Sequence, residues 1–199
     1  MPEYYSVEKK HGYELTVSEN LFAANNMRDS LWSWILGARI SEPKDREPFR
    51  YKYSDMGFYI LQRLSERLLN QPLDDFLEKK IYAPIGATSM GYLPLRRFPA
   101  VSIAPTEDDR FFRKSLLRGY VHDQGAAMHG GVAGHAGLFS TALDLAKMGQ
   151  MWLQEGTYGG EQYFLPSTVK LFTRRQFQTS RRGLGWDRTS GGSDGPTSA

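Results

Sequence analysis

Three stretches repeat apolar residues at the helical period, and they set the outline of any fold open to this chain. Met27, Leu31, Trp34, Ile35 and Ala38 fall at i, i+4, i+7, i+8 and i+11, one face of a 3.6-residue helix. That spacing predicts a helix over 26–39, with Asn25 or Asn26 to cap it. A second helix is predicted over 55–69, with Ile60, Leu61, Leu64, Leu68 and Leu69 turned inward and Arg63, Glu66 and Arg67 outward. In the third, Ser140 or Thr141 caps a helix lined on one side by Ala142, Leu145, Met148, Gly149 and Trp152. Thr141-x-x-Asp144 there has the form of a capping box, with Asp in place of the usual Glu. Shorter helices are expected over 73–81, acidic at its start and basic at its end as the macrodipole prefers, and from Pro166 to Phe172.

The remaining segments read as connections. Residues 1–26 form an irregular arm, 41–50 an exposed charged loop, and 85–120 a proline-punctuated stretch with a helical turn around 111–117. Thr106-Glu-Asp-Asp109 reads as a solvated acidic turn, and Gly159-Gly160 as the tip of a hairpin. Beyond Asp187 the chain becomes small and polar. The inventory is mainly α with little β.

Composition removes several functions. Without cysteine there are no disulfides and no thiolate metal sites. No apolar run approaches the about 18 residues of a membrane span, and Met-Pro-Glu-Tyr-Tyr lacks the basic start and apolar stretch of a signal peptide. A net charge of +3, without a basic stripe, gives no footing for nucleic acid.

Two stretches carry chemistry. Tyr53-Ser54-Asp55 puts a phenol, a hydroxyl and a carboxylate at the mouth of the second helix. Unpaired N–H groups and the helix dipole there favour an anion, and a phenol of lowered pKa can act as a general base. Equally, Ser54 or Asp55 can cap the helix while Tyr53 packs. The second stretch, 121–142, holds His122, His129 and His135 among Gly125, Gly130, Gly131, Gly134 and Gly137. Zinc with Asp123 as fourth ligand is one reading, but His-x6-His-x5-His matches no common metal signature. A phosphate cradle would need a Gly-Lys-Ser/Thr ending that is absent. Neither metal nor cofactor is expected, and the three histidines keep no assigned role. Ser6-Val-Glu-Lys9 fits Ser-x-x-Lys, the pairing of a nucleophile with its amine base, but lies outside any rigid predicted helix.

Taken in order, Tyr53-Ser54-Asp55-Met-Gly57-Phe58, Gln71-Pro72-Leu73-Asp74, Tyr82-Ala-Pro84-Ile-Gly86 and Gly130-Gly131-Val-Ala-Gly134-His-Ala-Gly137-Leu-Phe-Ser140-Thr141-Ala142 resemble the serine β-lactamase and penicillin-binding-protein superfamily, on its class C and esterase side. With Pro105-Thr-Glu-Asp, Gly119-Tyr-Val-His122-Asp123 and Arg182-Gly-Leu-Gly, they are similar to a group often fused to a glycoside hydrolase family 3 β-N-acetylhexosaminidase. The resemblance implies the helical subdomain portion of an α/β β-lactamase/transpeptidase-like fold. In that scheme 1–26 is an arm, 27–156 the helical subdomain and 157–199 the start of the return to the α/β part.

It also implies an acyl-serine mechanism on a β-lactam, peptide or ester, a peptidoglycan-type acyl substrate and an extracytoplasmic setting. Tyr53 matches the tyrosine that shuttles a proton to or from the serine and the leaving group. Asp55 matches a position usually held by Asn, where a carboxylate cannot donate as an amide does. The family's Ser-x-x-Lys and its Lys-Thr-Gly or His-x-Gly strand motif are not matched, and His135-Ala-Gly137 corresponds to the family's glycine turn. The chain thus reads as an internal piece of a longer serine hydrolase, inactive alone. The alternative is a non-catalytic scaffold or interaction module of the same fold, accessory to a glycoside hydrolase.

Overall fold

The computed structural model describes residues 3–40, 52–178 and 180–189. The loop expected at 41–50 and the polar tail from residue 190 lie outside the described residues.

The first departure from expectation is at the N-terminus. Instead of an irregular arm, β1 (Tyr5–Ser6), β2 (Leu15–Ser18) and β3 (Leu21–Ala23) form an antiparallel sheet in the order β1-β3-β2. Val17, Leu21 and Ala23 on this sheet bury against Met27, Val121, Ala126, Ala127 and Ala133. Strands of two to four residues are too short for a two-residue alternation to show in sequence.

The second departure is a hairpin of β4 (Pro105–Asp109) and β5 (Ser115–Arg118), where a loop and a helical turn were predicted. Asp109, read as solvated, is 2% exposed. Its Oδ2 accepts from Arg113 Nε at 2.6 Å, and the carboxylate also takes the N–H groups of Phe111, Phe112 and Arg113. Burial pushes the Asp109 carboxyl up, but the guanidinium and the three amides outweigh it and hold the group well below the usual carboxylate range. Arg113 reaches onward to the carbonyls of Val121 and His122 and to Glu107. A buried charge is tolerable only when its partners are complete in this way.

A third hairpin, β6 (Thr157–Tyr158) with β7 (Glu161–Gln162), turns at Gly159-Gly160 as expected. The helices also fall where they were expected: α1 (Met27–Leu36), α2 (Met56–Leu69) and α5 (Ala142–Leu153) on the apolar period, α3 (Leu73–Leu77) on its end charges and α6 (Pro166–Thr173) on its leading proline. A π-helical turn (Glu78–Tyr82) extends α3, and a short α4 (Gln124–Met128) opens the glycine-rich stretch. Of the described residues, 37% are helical and 16% lie in strands, arranged as six α-helices and three small sheets. The expectation of a mainly α chain is therefore corrected to a mixed α and β one.

Burial on the helices also differs from the predicted stripes. On α2 only Gln62 is buried, while Leu61, Leu64 and Leu68 are 55%, 50% and 78% exposed. On α5 the buried residues are Asp144 and Met151, and Leu145 faces solvent. The periodicity identified amphipathic helices correctly, but no layer among the described residues covers those apolar faces. Met151 instead joins Ile81, Tyr82, Ile85, Ala87 and Met90 in a second core, flanked by Trp152 stacked on Phe164. Asp144 does not close a capping box. Its amide is capped by Thr141, but its carboxylate accepts from the N–H and hydroxyl of Ser89 at 2.7 and 2.6 Å and from Lys147 at 2.8 Å. No helix among the described residues is long and apolar enough to cross a membrane.

Candidate active site

The Tyr53-Ser54-Asp55 tripeptide enters α2 as its sequence suggested. Ser54 Oγ accepts the N–H of Met56 at 3.3 Å, so the serine serves the helix end. Asp55 occupies the N-cap position, but its carboxylate makes no capping hydrogen bond. Tyr53 is exposed, 71% accessible, just before the helix.

The glycine-rich stretch packs on the same end of α2. Gly134 permits this approach, since a Cβ at that position would lie 2.6 Å from the carbonyl oxygen of Phe58. One turn further along, the Gln62 amide donates to Val132 O at 3.2 Å and accepts the N–H of Gly134 at 3.0 Å. A buried side-chain amide satisfied on both its ends fixes the loop to the helix. At the other side of the loop Asp123 caps α4, accepting the N–H of Ala126 at 2.6 Å.

Between these two walls sit Tyr59, His129, His135 and the carboxylates of Asp55 and Asp123. His135 Nε2 lies 3.1 Å from Asp123 Oδ1, and the imidazole is 5% exposed. The Tyr59 ring lies 4.5 Å from that of His135 and 5.3 Å from that of His129, centre to centre. Gly125 makes room for it, because a Cβ there would come within 2.8 Å of the Tyr59 hydroxyl. Asp55, Asp123 and His135 each bring a donor atom within 4.8 Å of the other two.

Charge and burial sort these groups. Burial raises the pKa of the Tyr59 phenol, and the Asp123 and Asp55 charges push it further in the same direction. Tyr59 is therefore a neutral phenol at physiological pH. Burial also raises the Asp123 carboxyl, but the Ala126 N–H and the His135 contact outweigh it and leave the group lowered overall. His129 is lowered chiefly by burial, against a bond from Nδ1 to Val132 O at 2.9 Å. Its carbonyl accepts from Arg28 Nε at 2.7 Å.

The structure therefore divides the histidines that the sequence grouped together. His135 meets Asp123 and Asp55, His129 is committed to its own loop, and the side chain of His122 is exposed. The partner Asp55 comes from α2, seventy or more positions away, and spacing alone could not supply it. Ser6 lies on β1, not on a helix, and its Oγ accepts the N–H of Glu8, so the Ser-x-x-Lys reading has no helical turn to support it. Tyr59 and Gln62 were not singled out from sequence. Their signal is positional, because residues 55, 59 and 62 share one face of a helix that begins with the tripeptide. Two clefts nearby run past His122, His135, Ser140 and Thr141 on one side and past Arg28, Tyr59 and His129 on the other. Tyr53 lines neither.

Comparison with known proteins gives the family. A family model described as Beta-lactamase matches residues 16–198. Over 177 residues the chain is 38% identical to an Escherichia coli K12 protein named "Putative D-alanyl-D-alanine carboxypeptidase", covering 76% of this chain and 41% of that protein. A Salmonella paratyphi B protein of the same name is 38% identical over 160 residues, covering 74% of this chain and 37% of that one. The chain thus spans about two fifths of the length of the curated relatives it matches. Among solved structures, a Bacteroides dorei protein titled "putative beta-lactamase" aligns over 81% of this chain and 39% of its own, at 19% identity and a TM-score of 0.47. An octameric penicillin-binding-protein homologue from Pyrococcus abyssi aligns over 75% and 35%, at 16% identity and a TM-score of 0.46. With all but its first fifteen residues and its last matched by the family model, the chain belongs to the Beta-lactamase family.

Proposed function

We propose that this chain is part of a serine hydrolase of the β-lactamase and penicillin-binding type, in which Tyr53 transfers the proton between the nucleophilic serine and the leaving group. The observation that carries this reading is the convergence of Tyr53-Ser54-Asp55 and the glycine-rich loop on one end of α2, joined by Gln62 and Gly134. The exposure of Tyr53 supports it, since a group that acts on substrate has to reach it. Beside it Asp55 serves as an acceptor, so the substrate group it faces is a donor such as an amide N–H. The relatives' name points to peptides ending in D-alanyl-D-alanine as the substrate class, with β-lactams and simple esters as competitors at the same site. On this reading the intact protein acts on cell-wall peptides, outside the cytoplasm, and a fused glycoside hydrolase domain would act on the same polymer.

The chain by itself is inactive in this scheme, because a tyrosine without its serine has nothing to activate. The test is hydrolysis of a D-alanyl-D-alanine peptide, a chromogenic cephalosporin and a nitrophenyl ester by the 199-residue chain and by the full-length protein. Turnover by the full-length protein alone is expected. Turnover by the short chain that Tyr53→Phe abolishes, or an acyl group found on Ser6, would overturn the assignment.

A second reading, a non-catalytic module of the same family, is favoured by one observation: Ser6, the serine of the chain's Ser-x-x-Lys sequence, lies on a strand. A full-length protein that takes up no acylating β-lactam would decide for the module.

A further inference from the structure

A cleft of about 460 Å³ between α1 and α2 has no task in the chemistry assigned to Tyr53, which does not line it. Its volume falls within the about 300–1,000 Å³ of sites that enclose small molecules. Leu31, Trp32 and Ile35 of α1 give it an apolar wall, and Tyr59, Gln62 and His129 border it from α2 and the glycine-rich loop.

Its charges are unevenly paired. Arg28, Arg63 and Arg67 line it, with only Asp29 and Glu66 against them. Glu66 is committed to amides, its Oε1 accepting from Gln62 Nε2 at 3.1 Å and from the N–H of Leu73 at 3.2 Å. Asp29 stands 3.9 Å from Arg63, whose guanidinium lies 4.5 Å from the centre of the Trp32 ring. Arg28 donates from Nε to the His129 carbonyl and forms no ion pair among the described residues. Arg67 is exposed and has neither a hydrogen bond nor an ion pair among them. It follows Arg63 by four positions on α2, the spacing at which like charges on a helix repel. Two helices thus bring three guanidinium groups to one cleft and leave two of them without a carboxylate, which suits the cleft to an anion from outside the chain.

We propose that this cleft binds a small organic oxyanion, its phosphate or carboxylate group held among Arg28, Arg63 and Arg67 and its apolar body against Leu31, Trp32 and Ile35. Arginine presents paired N–H donors that match two oxygens of either head group. Gln62 and His129 also fasten the glycine-rich loop, and Arg28 holds the loop through the His129 carbonyl. An occupied cleft therefore steadies the joint between α2 and that loop.

The probes are phenyl phosphate and benzoate, titrated into the 199-residue chain and followed through the Trp32 indole N–H and His129 ring resonances, with benzyl alcohol as the uncharged counterpart. One saturable site is expected, and the tighter of the two anions identifies the head group. Burial lowers the pKa of His129 and the Arg28 charge acts in the same direction, so a bound anion should move the His129 titration to higher pH. Affinity should fall about tenfold in Arg67→Gln and in Arg28→Gln, and stay unchanged in Arg110→Gln on the β4–β5 hairpin. The thermal midpoint should rise with the anion in the parent chain and less in the two cleft variants. Arg67→Gln removes no bond of the folded chain, so it tests the site even if Arg28→Gln loosens the loop. Binding of neither anion, equal binding of benzyl alcohol, equal affinity in Arg67→Gln, or equal loss in Arg110→Gln would overturn the site. None of these readouts depends on hydrolysis, so they stand or fall separately from the serine-hydrolase reading.

Discussion

The side-chain amide of Gln62 and the backbone N–H of Gly134 meet at 3.0 Å, and this bond joins the two stretches from which the site is built. Gln62 is buried and also donates to Val132 O, so it spans the loop. Gln62→Leu keeps the volume and removes both bonds, leaving a buried N–H and carbonyl unpaired. A loss of about 2–4 kcal/mol is expected from two such groups. The urea midpoint should fall with little change in slope. A midpoint equal to that of the parent chain would mean the loop is held by something else.

Gly134→Ala tests the same joint by sterics. The added methyl would lie 2.6 Å from the carbonyl of Phe58, a backbone atom that cannot swing aside. About 1–3 kcal/mol of destabilisation is expected from the forced shift. The tyrosine fluorescence of the variant should also change, as Tyr59 moves against His135. Gly149→Ala, at a position with open space around it, is the matched control and should be neutral or stabilising.

Acid stability should report Asp144. Burial raises its pKa, but the bonds from Lys147 and Ser89 outweigh it, and the folded-state value falls from 3.8 to about 2. A carboxyl with a depressed folded-state pKa contributes stability that is fully present above its unfolded value. That contribution is lost as pH falls through the folded one. The chain should therefore lose stability between pH 4 and 2 in part through this group. In Asp144→Asn the loss over that interval should be shallower, from a lower starting point at neutral pH. Parallel pH curves for the two proteins would show that the pair with Ser89 does not form in solution.

Tyr59 should ionise far above an ordinary tyrosine, since burial and two carboxylates all act against the phenolate. Absorbance at the tyrosinate band should show a late-titrating component that Tyr59→Phe removes. A titration curve unaltered by Tyr59→Phe would contradict the packed site. Tyr59 is kept neutral by its surroundings, whereas the Tyr53 ring is exposed to solvent.

In the full-length protein, Tyr53→Phe should lower kcat by about 10²–10⁴-fold, the usual worth of a positioned acid or base. KM for the peptide should change little, because the ring remains. Loss confined to KM would make Tyr53 a contact to substrate instead of a proton carrier.

How much of this was legible before the fold is a matter of range. The helices followed from apolar residues three and four apart, and the Gly159-Gly160 hairpin from its turn residues, because those signals are carried by neighbours in sequence. Tyr53-Ser54-Asp55 at a helix mouth and the resemblance to the β-lactamase family were equally local. The strands of the N-terminal sheet were not, since two to four residues are too few to display alternation. Asp109 looked solvated because burial of a charge depends on what the rest of the chain places over it.

The candidate site divides along the same line. Sequence alone determined that a glycine-rich loop carried three histidines and that a short acidic tripeptide opened a helix. Only the tertiary structure decided that His135 faces Asp123 and Asp55, that His129 and His122 do not, and that Tyr59 and Gln62 lie between. Contacts across seventy residues depend on how close two backbones can come, and here that distance is set by Gly134 against Phe58 and Gly125 against Tyr59.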